Sequence, residues 1–229
     1  HYLFIMEGDT PAFLNLIRNG LNGDMNPGWG GWGGRYIVRQ PQHETRPIWT
    51  SGGDFYPGNP NAADTVSGVD GKQYTSNQAT IWRWREAFQH DFAARMDWSV
   101  KNFASANHKP QVVVNGQGGQ DVVYLTAKVG DVVTVSADGT KDPDGNALGY
   151  NWFLYPEAGS ASSQPVAVAD VQGRRGEDNL NASAVLTMGE NGHPTVEVTA
   201  KRAGTEHLIL AVTDDGKPSL TSYRRIVIS

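Results

Sequence analysis

Near its start the chain reads Tyr2-Leu3-Phe4-Ile5-Met6-Glu7-Gly8-Asp9-Thr10-Pro11, an apolar run that leads directly into an acidic turn. Five apolar residues without alternation are typical of a strand that is buried on both faces of a sheet. Thr10 as a cap, Pro11 at the first helical position and Gly20 as a left-handed end predict a helix after the turn. The stretch therefore predicts a strand, an acidic turn and a helix, which is the repeating unit of an α/β domain.

Two carboxylates, Glu7 and Asp9, lie on this turn. Ligands of open α/β sheets bind outside the carboxyl ends of the strands, so the position favours a functional role. Carboxylates at this spacing suit a metal ion, a polyol or proton transfer. The alternative is structural, with Asp9 and Thr10 capping the helix and Glu7 complementing its dipole. The sequence leaves both interpretations open.

Composition excludes several classes of function. The formal net charge is −5 and the 19 Lys and Arg residues are scattered, so nucleic acid is not an expected partner. Cysteine is absent, which excludes disulfides, thiolate metal sites and a cysteine nucleophile. No apolar run approaches the roughly 20 residues that span a bilayer, so no membrane anchor is expected.

Residues 22–36 contain six glycines and two tryptophans, Trp29 and Trp32. So many glycines are incompatible with a regular element and predict a loop that carries aromatic side chains. An indole face can cover the C–H face of a pyranose, which makes the loop a candidate for sugar binding. The alternative is that both rings pack inside the domain.

A long helix is predicted after Ser76, which is suited to cap it. Apolar side chains recur every three to four residues from Ile81 to Phe103, which forms one apolar face over about seven turns. Trp82 falls off that face. The adjacent residues His90 and Asp91 point in different directions on a continuous helix.

The pattern changes after a linker at residues 102–110. Short β-like segments separated by turn residues then follow to the end of the sequence. They predict an all-β sandwich of immunoglobulin type without the cysteine pair, with Trp152 as its core tryptophan. The predicted domains are 1–106, the C-terminal portion of an α/β domain, and 107–229, the sandwich.

The sandwich contains one cluster of oxygen ligands, Asp142-Pro143-Asp144-Gly145-Asn146. Carboxylate and amide oxygens at this spacing could hold a calcium ion. The same residues are also favourable in a tight turn, and the sequence favours that interpretation.

Several segments resemble a bacterial family of cellulose-binding proteins that has a nucleoside-hydrolase-like domain. The segments are Met6 to Leu14, the tryptophan-glycine run Trp29 to Tyr36, and Trp82 to Trp98. Thr140 to Trp152 and Leu210 to Gly216 resemble an immunoglobulin-like module of polycystic-kidney-disease type. The resemblance identifies the chain as the C-terminal half of such a protein.

The resemblance also implies roles for individual residues. Glu7 and Asp9 match a Glu-x-Asn motif that grips ribose hydroxyls, with Asp in place of Asn. His90 and Asp91 match a late His-Asp pair in which Asp binds calcium and His meets the leaving base. The family's Asp-rich calcium motif does not occur in this chain, so calcium is implied only together with an upstream half, which is either part of the same chain or a separate chain. Alone, the chain is expected to lack a complete site.

Three interpretations of function follow. The first is a secreted or periplasmic bacterial protein of carbohydrate metabolism that binds plant polysaccharide or its fragments and, with calcium and the upstream half, hydrolyses a glycosidic or N-glycosidic bond. The second is a non-catalytic glycan-binding protein that stacks sugars on Trp29, Trp32, Trp82 and Trp84. The third is a structural spacer in which the tryptophans form a core. Exposure of the tryptophans separates the second from the third, and a metal ion at Asp91 separates the first from the second.

Overall fold

The computed structural model describes residues 13–39, 43, 45–46, 48–50, 62–160 and 186–229. The predicted strand Tyr2–Met6 and the acidic turn after it lie outside these residues. Two compact units are present. Of the described residues, those from 13 to 18 and from 22 to 85 belong to the first unit, and all others belong to the second. The described chain is mostly β-sheet with few helices.

The first unit is built from small elements. Two antiparallel hairpins, a 3₁₀ turn and a short helix are its regular parts: β1 (Ile37–Arg39) with β2 (Ile48–Thr50), β3 (Asp64–Ser67) with β4 (Gln73–Ser76), the turn Pro27–Trp29, and α1 (Ala79–Trp82). Ser76 was predicted to cap this helix; its Oγ accepts a hydrogen bond from the backbone N–H of Ala79 at 3.0 Å, but the N-cap position of α1 is Gln78, whose side chain makes no capping bond.

The long helix predicted after Ser76 is divided in two. Helix α1 ends at Trp82, and a second helix, α2, spans Arg85–Val100. Three apolar side chains of the predicted face are exposed on α2: Phe92, Met96 and Val100 are 61%, 51% and 81% exposed. The buried residues of α2 are Asp91 and Ala94. Asp91 forms ion pairs with Arg95 and Lys109, and these pairs turn the polar side of the helix inward.

The second unit contains the predicted β-strands. A four-stranded sheet has the order β7-β13-β12-β9 and a three-stranded sheet has the order β10-β11-β8, with a small β5-β6 ladder beside them. All pairs are antiparallel except β7 with β13. The strands are β5 (Val113–Val114), β6 (Gln117–Gly118), β7 (Val123–Leu125), β8 (Val132–Ser136), β9 (Leu148–Leu154), β10 (Leu186–Met188), β11 (Thr195–Ala200), β12 (Glu206–Asp214) and β13 (Thr221–Ile228).

Both sheets of the second unit contribute to one hydrophobic core. Trp152 on β9 is fully buried in it, which confirms the predicted core tryptophan. Its indole N–H donates to the carbonyl of His193 at 2.9 Å, so the buried polar group is satisfied. Val135 and Val198 from the three-stranded sheet and Leu210 from the four-stranded sheet lie in the same cluster.

The short segment Asn19–Leu21 also belongs to the second unit. The backbone N–H of Tyr223 on β13 donates to the carbonyl of Asn19 at 3.0 Å. Gly20 has φ +93°, so the predicted left-handed conformation is present, and a Cβ there would overlap the carbonyl of Tyr223. A glycine is therefore required where this segment lies against β13.

Beyond the segment Asn19–Leu21, the chain passes from the first unit to the second between Arg85 and Glu86, so nearly all of α2 groups with the β-sheets. The predicted boundary at 106/107 instead assigns this helix to the first domain. The difference arises from contacts made by residues of α2 such as His90, Asp91 and Trp98, which the sequence pattern does not contain. Among the helices of the described residues, none is long and apolar enough to cross a membrane.

Candidate functional site

The tryptophan-glycine loop at residues 22–36 is an ordered turn in the first unit. Asn26 caps the 3₁₀ turn Pro27–Trp29, since its Oδ1 accepts from the N–H of Gly28 at 2.9 Å. Gly30 has φ +75° directly after the turn and Gly34 has φ +92° near the end of the loop. These left-handed positions account for two of the six glycines of the loop.

A buried charge network fixes the end of this loop. Arg35 donates from Nε to Asp64 Oδ1 at 2.8 Å and from Nη2 to the carbonyl of Ala63 at 2.7 Å. Arg83, which follows α1, donates from Nη1 to the other carboxylate oxygen, Asp64 Oδ2, at 3.0 Å. Asp64 is completely buried, so one carboxylate joins the loop to the end of α1.

The four tryptophans predicted to bind sugar differ in exposure. Trp32 and Trp84 are buried, with 1% and 3% of their surface exposed. For these two rings the structure favours the packing interpretation that the sequence left open. Trp29 is partly buried, whereas Trp82 at the end of α1 is 43% exposed. Trp82 therefore has a free surface that a sugar ring could cover.

Trp49 is an exposed tryptophan that the sequence interpretation missed. It lies on β2, is 40% exposed, and its ring carbon Cζ3 is 3.4 Å from the position that a Cβ on Gly28 would take. Its ring is thus seated against the 3₁₀ turn that carries Trp29. The available signal was that Trp49 is the one tryptophan in a polar stretch rich in proline and glycine, residues 40–76.

The structure gives His90 and Asp91 separate surroundings in the second unit. His90 Nδ1 lies 3.0 Å from the carbonyl oxygen and 3.2 Å from the hydroxyl of Ser219. Asp91 is buried and pairs with Arg95, at 2.7 Å from Nε to Oδ2, and with Lys109. The imidazole and the carboxylate do not bond to each other, as expected for neighbours on a helix. Their predicted catalytic and metal-binding roles stay predictions.

The surroundings of Asp91 do not fit a calcium ion. Calcium requires six to eight oxygen ligands, whereas this carboxylate faces two cationic side chains. Within the part of the chain that the structure describes, no group of three or more acidic, histidine or cysteine side chains could hold a metal ion. Glu7 and Asp9, the other predicted site residues, lie outside that part.

The Asp142–Asn146 cluster has the geometry of a turn. Asp142 Oδ1 accepts hydrogen bonds from the N–H groups of Asp144 and Asn146, at 2.9 and 3.0 Å. Asp144 in turn pairs with His108 at 3.0 Å. Burial, together with the charge of nearby Asp142, raises the pKa of Asp214, although hydrogen bonds from Leu220, Asn107 and Gly216 oppose this shift. The hydrogen bonds that Asp142 accepts support the interpretation of residues 142–146 as a turn.

Comparison with known proteins gives two family matches and matches to several solved structures. Residues 1–36 match the nucleoside hydrolase-like domain of the cellulose-binding protein Sde182, and residues 132–229 match the C-terminal domain of cellulose-binding protein Sde0182. No curated protein matches the sequence. A solved nucleoside hydrolase-related protein from Saccharophagus degradans, associated with carbohydrate metabolism, is 31% identical, with a TM-score of 0.69.

That match covers 99% of this chain and 48% of the solved one, so the chain spans about half the length of its structural relative. A structure of protocadherin gamma B7 cadherin domains matches at 18% identity with a TM-score of 0.25, over 53% of this chain and 25% of that one, and carries no weight. The two family matches lie in the same order as the two predicted domains. The chain therefore belongs to the Sde182 family of cellulose-binding proteins.

Proposed function

We propose that the chain binds a plant polysaccharide such as cellulose, or its fragments, on an aromatic surface of the first unit formed by Trp49 and Trp82. The observation that carries the proposal is the unequal exposure of the tryptophans: the rings of Trp49 and Trp82 are exposed, while those of Trp32 and Trp84 in the same unit are buried. The cellulose-binding family to which the chain belongs supports the same substrate class.

The physical basis is stacking of indole rings on sugar. The axial C–H groups of a β-linked glucan form an apolar face that an indole ring can cover, and burying this area is favourable. Rings that are already fixed lose little conformational entropy on binding. The ring of Trp49 lies against the turn Pro27–Trp29, which limits its movement. The backbone of Trp82 is held because the next residue, Arg83, is bonded to Asp64.

Binding to insoluble cellulose tests the proposal. The purified 229-residue chain is mixed with increasing amounts of cellulose and the unbound fraction is measured. Trp49→Ala and Trp82→Ala should each weaken binding by about tenfold, since a well-placed aromatic contact contributes roughly 1–3 kcal/mol. Tyr124→Ala is the matched control, because Tyr124 is an exposed aromatic on β7 of the second unit. Unchanged binding by both tryptophan variants would overturn the proposal.

The second unit is assigned here as an immunoglobulin-like sandwich. Its support is the pair of sheets with one shared core, the buried Trp152 on β9, and the family match over residues 132–229. In this assignment the sandwich carries no sugar site of its own. Replacement of exposed side chains on its sheets should leave cellulose binding unchanged, and loss of binding there would contradict the division of roles.

Hydrolysis of a glycosidic or N-glycosidic bond is a second candidate function, favoured by the match of residues 1–36 to a nucleoside hydrolase-like domain. Glu7 and Asp9 lie in that segment and would contribute to substrate binding, with calcium ligands supplied by other parts of such a protein. Calorimetric titration of calcium into the chain and into a version extended upstream, each followed by a nucleoside and cello-oligosaccharides, tests it: the extended protein should bind calcium and cleave one of the substrates, and absence of both would contradict the candidate function. The same proposal places the protein in a secreted or periplasmic location, which fractionation of the source cells would check.

A further inference from the structure

We propose that Arg83, held by Asp64, is a positioning residue that fixes the backbone position from which the exposed ring of Trp82 projects into the polysaccharide-binding surface. The inference rests on the proposed function, because it assigns a role inside that surface. In this arrangement Arg83 and Asp64 do not contact sugar. They act through Trp82, which precedes Arg83 in the chain.

Asp64 holds two guanidinium groups from parts of the first unit that are far apart in sequence. Its Oδ1 is 2.8 Å from Arg35 Nε and its Oδ2 is 3.0 Å from Arg83 Nη1. Each oxygen therefore has its own arginine. Because hydrogen bonds between a carboxylate and a planar guanidinium are directional, they fix both the distance and the orientation of Arg83.

The backbone and side chain of Arg83 are held at more than one point. Its N–H donates to the carbonyl of Ala79 at 3.3 Å, which closes the last turn of α1. Its guanidinium carbon lies 5.0 Å from the centre of the Trp84 ring, and Trp84 is buried. The peptide between Trp82 and Arg83 is thereby fixed, and with it the point from which the exposed indole projects.

The choice of charged residues indicates positioning rather than stability. A buried ion pair often contributes less to stability than apolar side chains of the same volume would, because both charges lose their hydration. The ion pairs of Asp64 with Arg35 and Arg83 instead add a defined orientation of the paired side chains. Here they connect the loop that ends at Arg35 with the helix that ends at Trp82, and both segments border the proposed binding surface.

A double-mutant cycle tests the inference. Arg83→Met keeps the apolar stem of the side chain and removes the guanidinium, and Arg18→Met is the control, because Arg18 is a well-exposed arginine of the same unit. We expect Arg83→Met to weaken cellulose binding about fivefold in the wild-type background and to have no further effect in Trp82→Ala. Arg83→Lys, which keeps the charge but not the planar fork, should restore binding only in part.

Asp64→Asn is the second variant, and thermal unfolding is recorded for each protein so that loss of folding is recognised. Equal weakening by Arg83→Met with and without Trp82 would show a general structural role and overturn the inference, as would a Trp82→Ala variant with normal affinity. If only Trp49→Ala loses binding, the proposed function stands and the inference fails. If neither tryptophan variant loses binding, both fail.

Discussion

His207 is a buried histidine whose neutral form is required by its contacts. Its Nδ1 lies 2.7 Å from Arg225 Nη1, so the imidazole accepts a hydrogen bond from a guanidinium that is itself buried. Arg225 also donates from Nε to the carbonyl of Leu21 at 2.6 Å. Burial, and next the positive charge of Arg225, lower the pKa of His207 to about 3. Protonation would remove the acceptor and place two cations together.

A pH dependence of stability follows from this shift. Between its ordinary value of 6.5 and about 3, His207 binds a proton in the unfolded chain but not in the folded one, so the stability it contributes is lost as the pH falls. The free energy of unfolding should drop by about 2 kcal/mol from pH 6.5 to pH 5, in addition to the contribution of other groups.

Urea unfolding at the two pH values measures this difference. His207→Asn offers an amide oxygen near the position of Nδ1 and does not titrate, so this variant should show a smaller drop. An equal pH dependence in both proteins would show that His207 is not the group responsible.

Helix α2 is attached to the second unit through polar contacts. Asp91 is buried and bonded to Arg95 and Lys109, whereas Asp97, six residues later, forms an exposed pair with Lys101 at 2.9 Å. Removing one partner of a buried ion pair leaves an uncompensated charge, but an exposed pair contributes little.

The two aspartates thus provide a matched comparison on one helix. Asp91→Asn should lower the free energy of unfolding by about 3 kcal/mol, and Asp97→Asn by about 0.5 kcal/mol or less. Chemical denaturation of the two variants checks both values. Similar effects at the two positions would mean that α2 is not fastened through Asp91.

Gly20 tests the attachment of the segment Asn19–Leu21 to β13. Gly20→Ala combines an unfavourable φ of +93° with overlap onto the carbonyl of Tyr223. Gly71 has a similar φ of +74° with nothing within 4 Å of a built Cβ, so Gly71→Ala isolates the backbone term of about 1 kcal/mol. Thermal unfolding should show a clearly larger loss for Gly20→Ala, and equal losses would argue against the close approach.

At the scale of elements, the sequence predicted the second unit better than the first. Its strands carry β-branched and apolar residues between turn residues, a local signal, and Trp152 is the one tryptophan among them. The exposed face of α2 was not predictable from periodicity, because the pairing of Asp91 with Lys109 depends on tertiary structure. The sequence likewise did not distinguish exposed Trp82 from buried Trp84, because their burial depends on tertiary packing, and Trp49 lay in a stretch without periodic pattern.

Considered as a whole, the molecule should be least mobile at the centre of the four-stranded sheet. β12 pairs with a strand on each side, and almost all residues of β12 and β13 are buried. Backbone amides that open only on global unfolding exchange most slowly with solvent.

Hydrogen exchange followed by mass spectrometry or NMR should therefore show the strongest protection in β12 and β13. The two-residue strands β5 and β6 and the exposed hairpin β3-β4 should exchange earlier. Equal protection of the β3-β4 hairpin and of β12 would contradict this order.

The contact between Leu21 and Arg225 has a consequence for biosynthesis. The two residues are 204 positions apart in sequence, yet the buried guanidinium finds its acceptor on Leu21. As the ribosome makes the chain from the N-terminus, the segment around Leu21 emerges long before β13 exists. The carbonyl of Leu21 therefore has no Arg225 donor until β13 has been synthesised. The second unit cannot complete its packing until translation has passed Arg225.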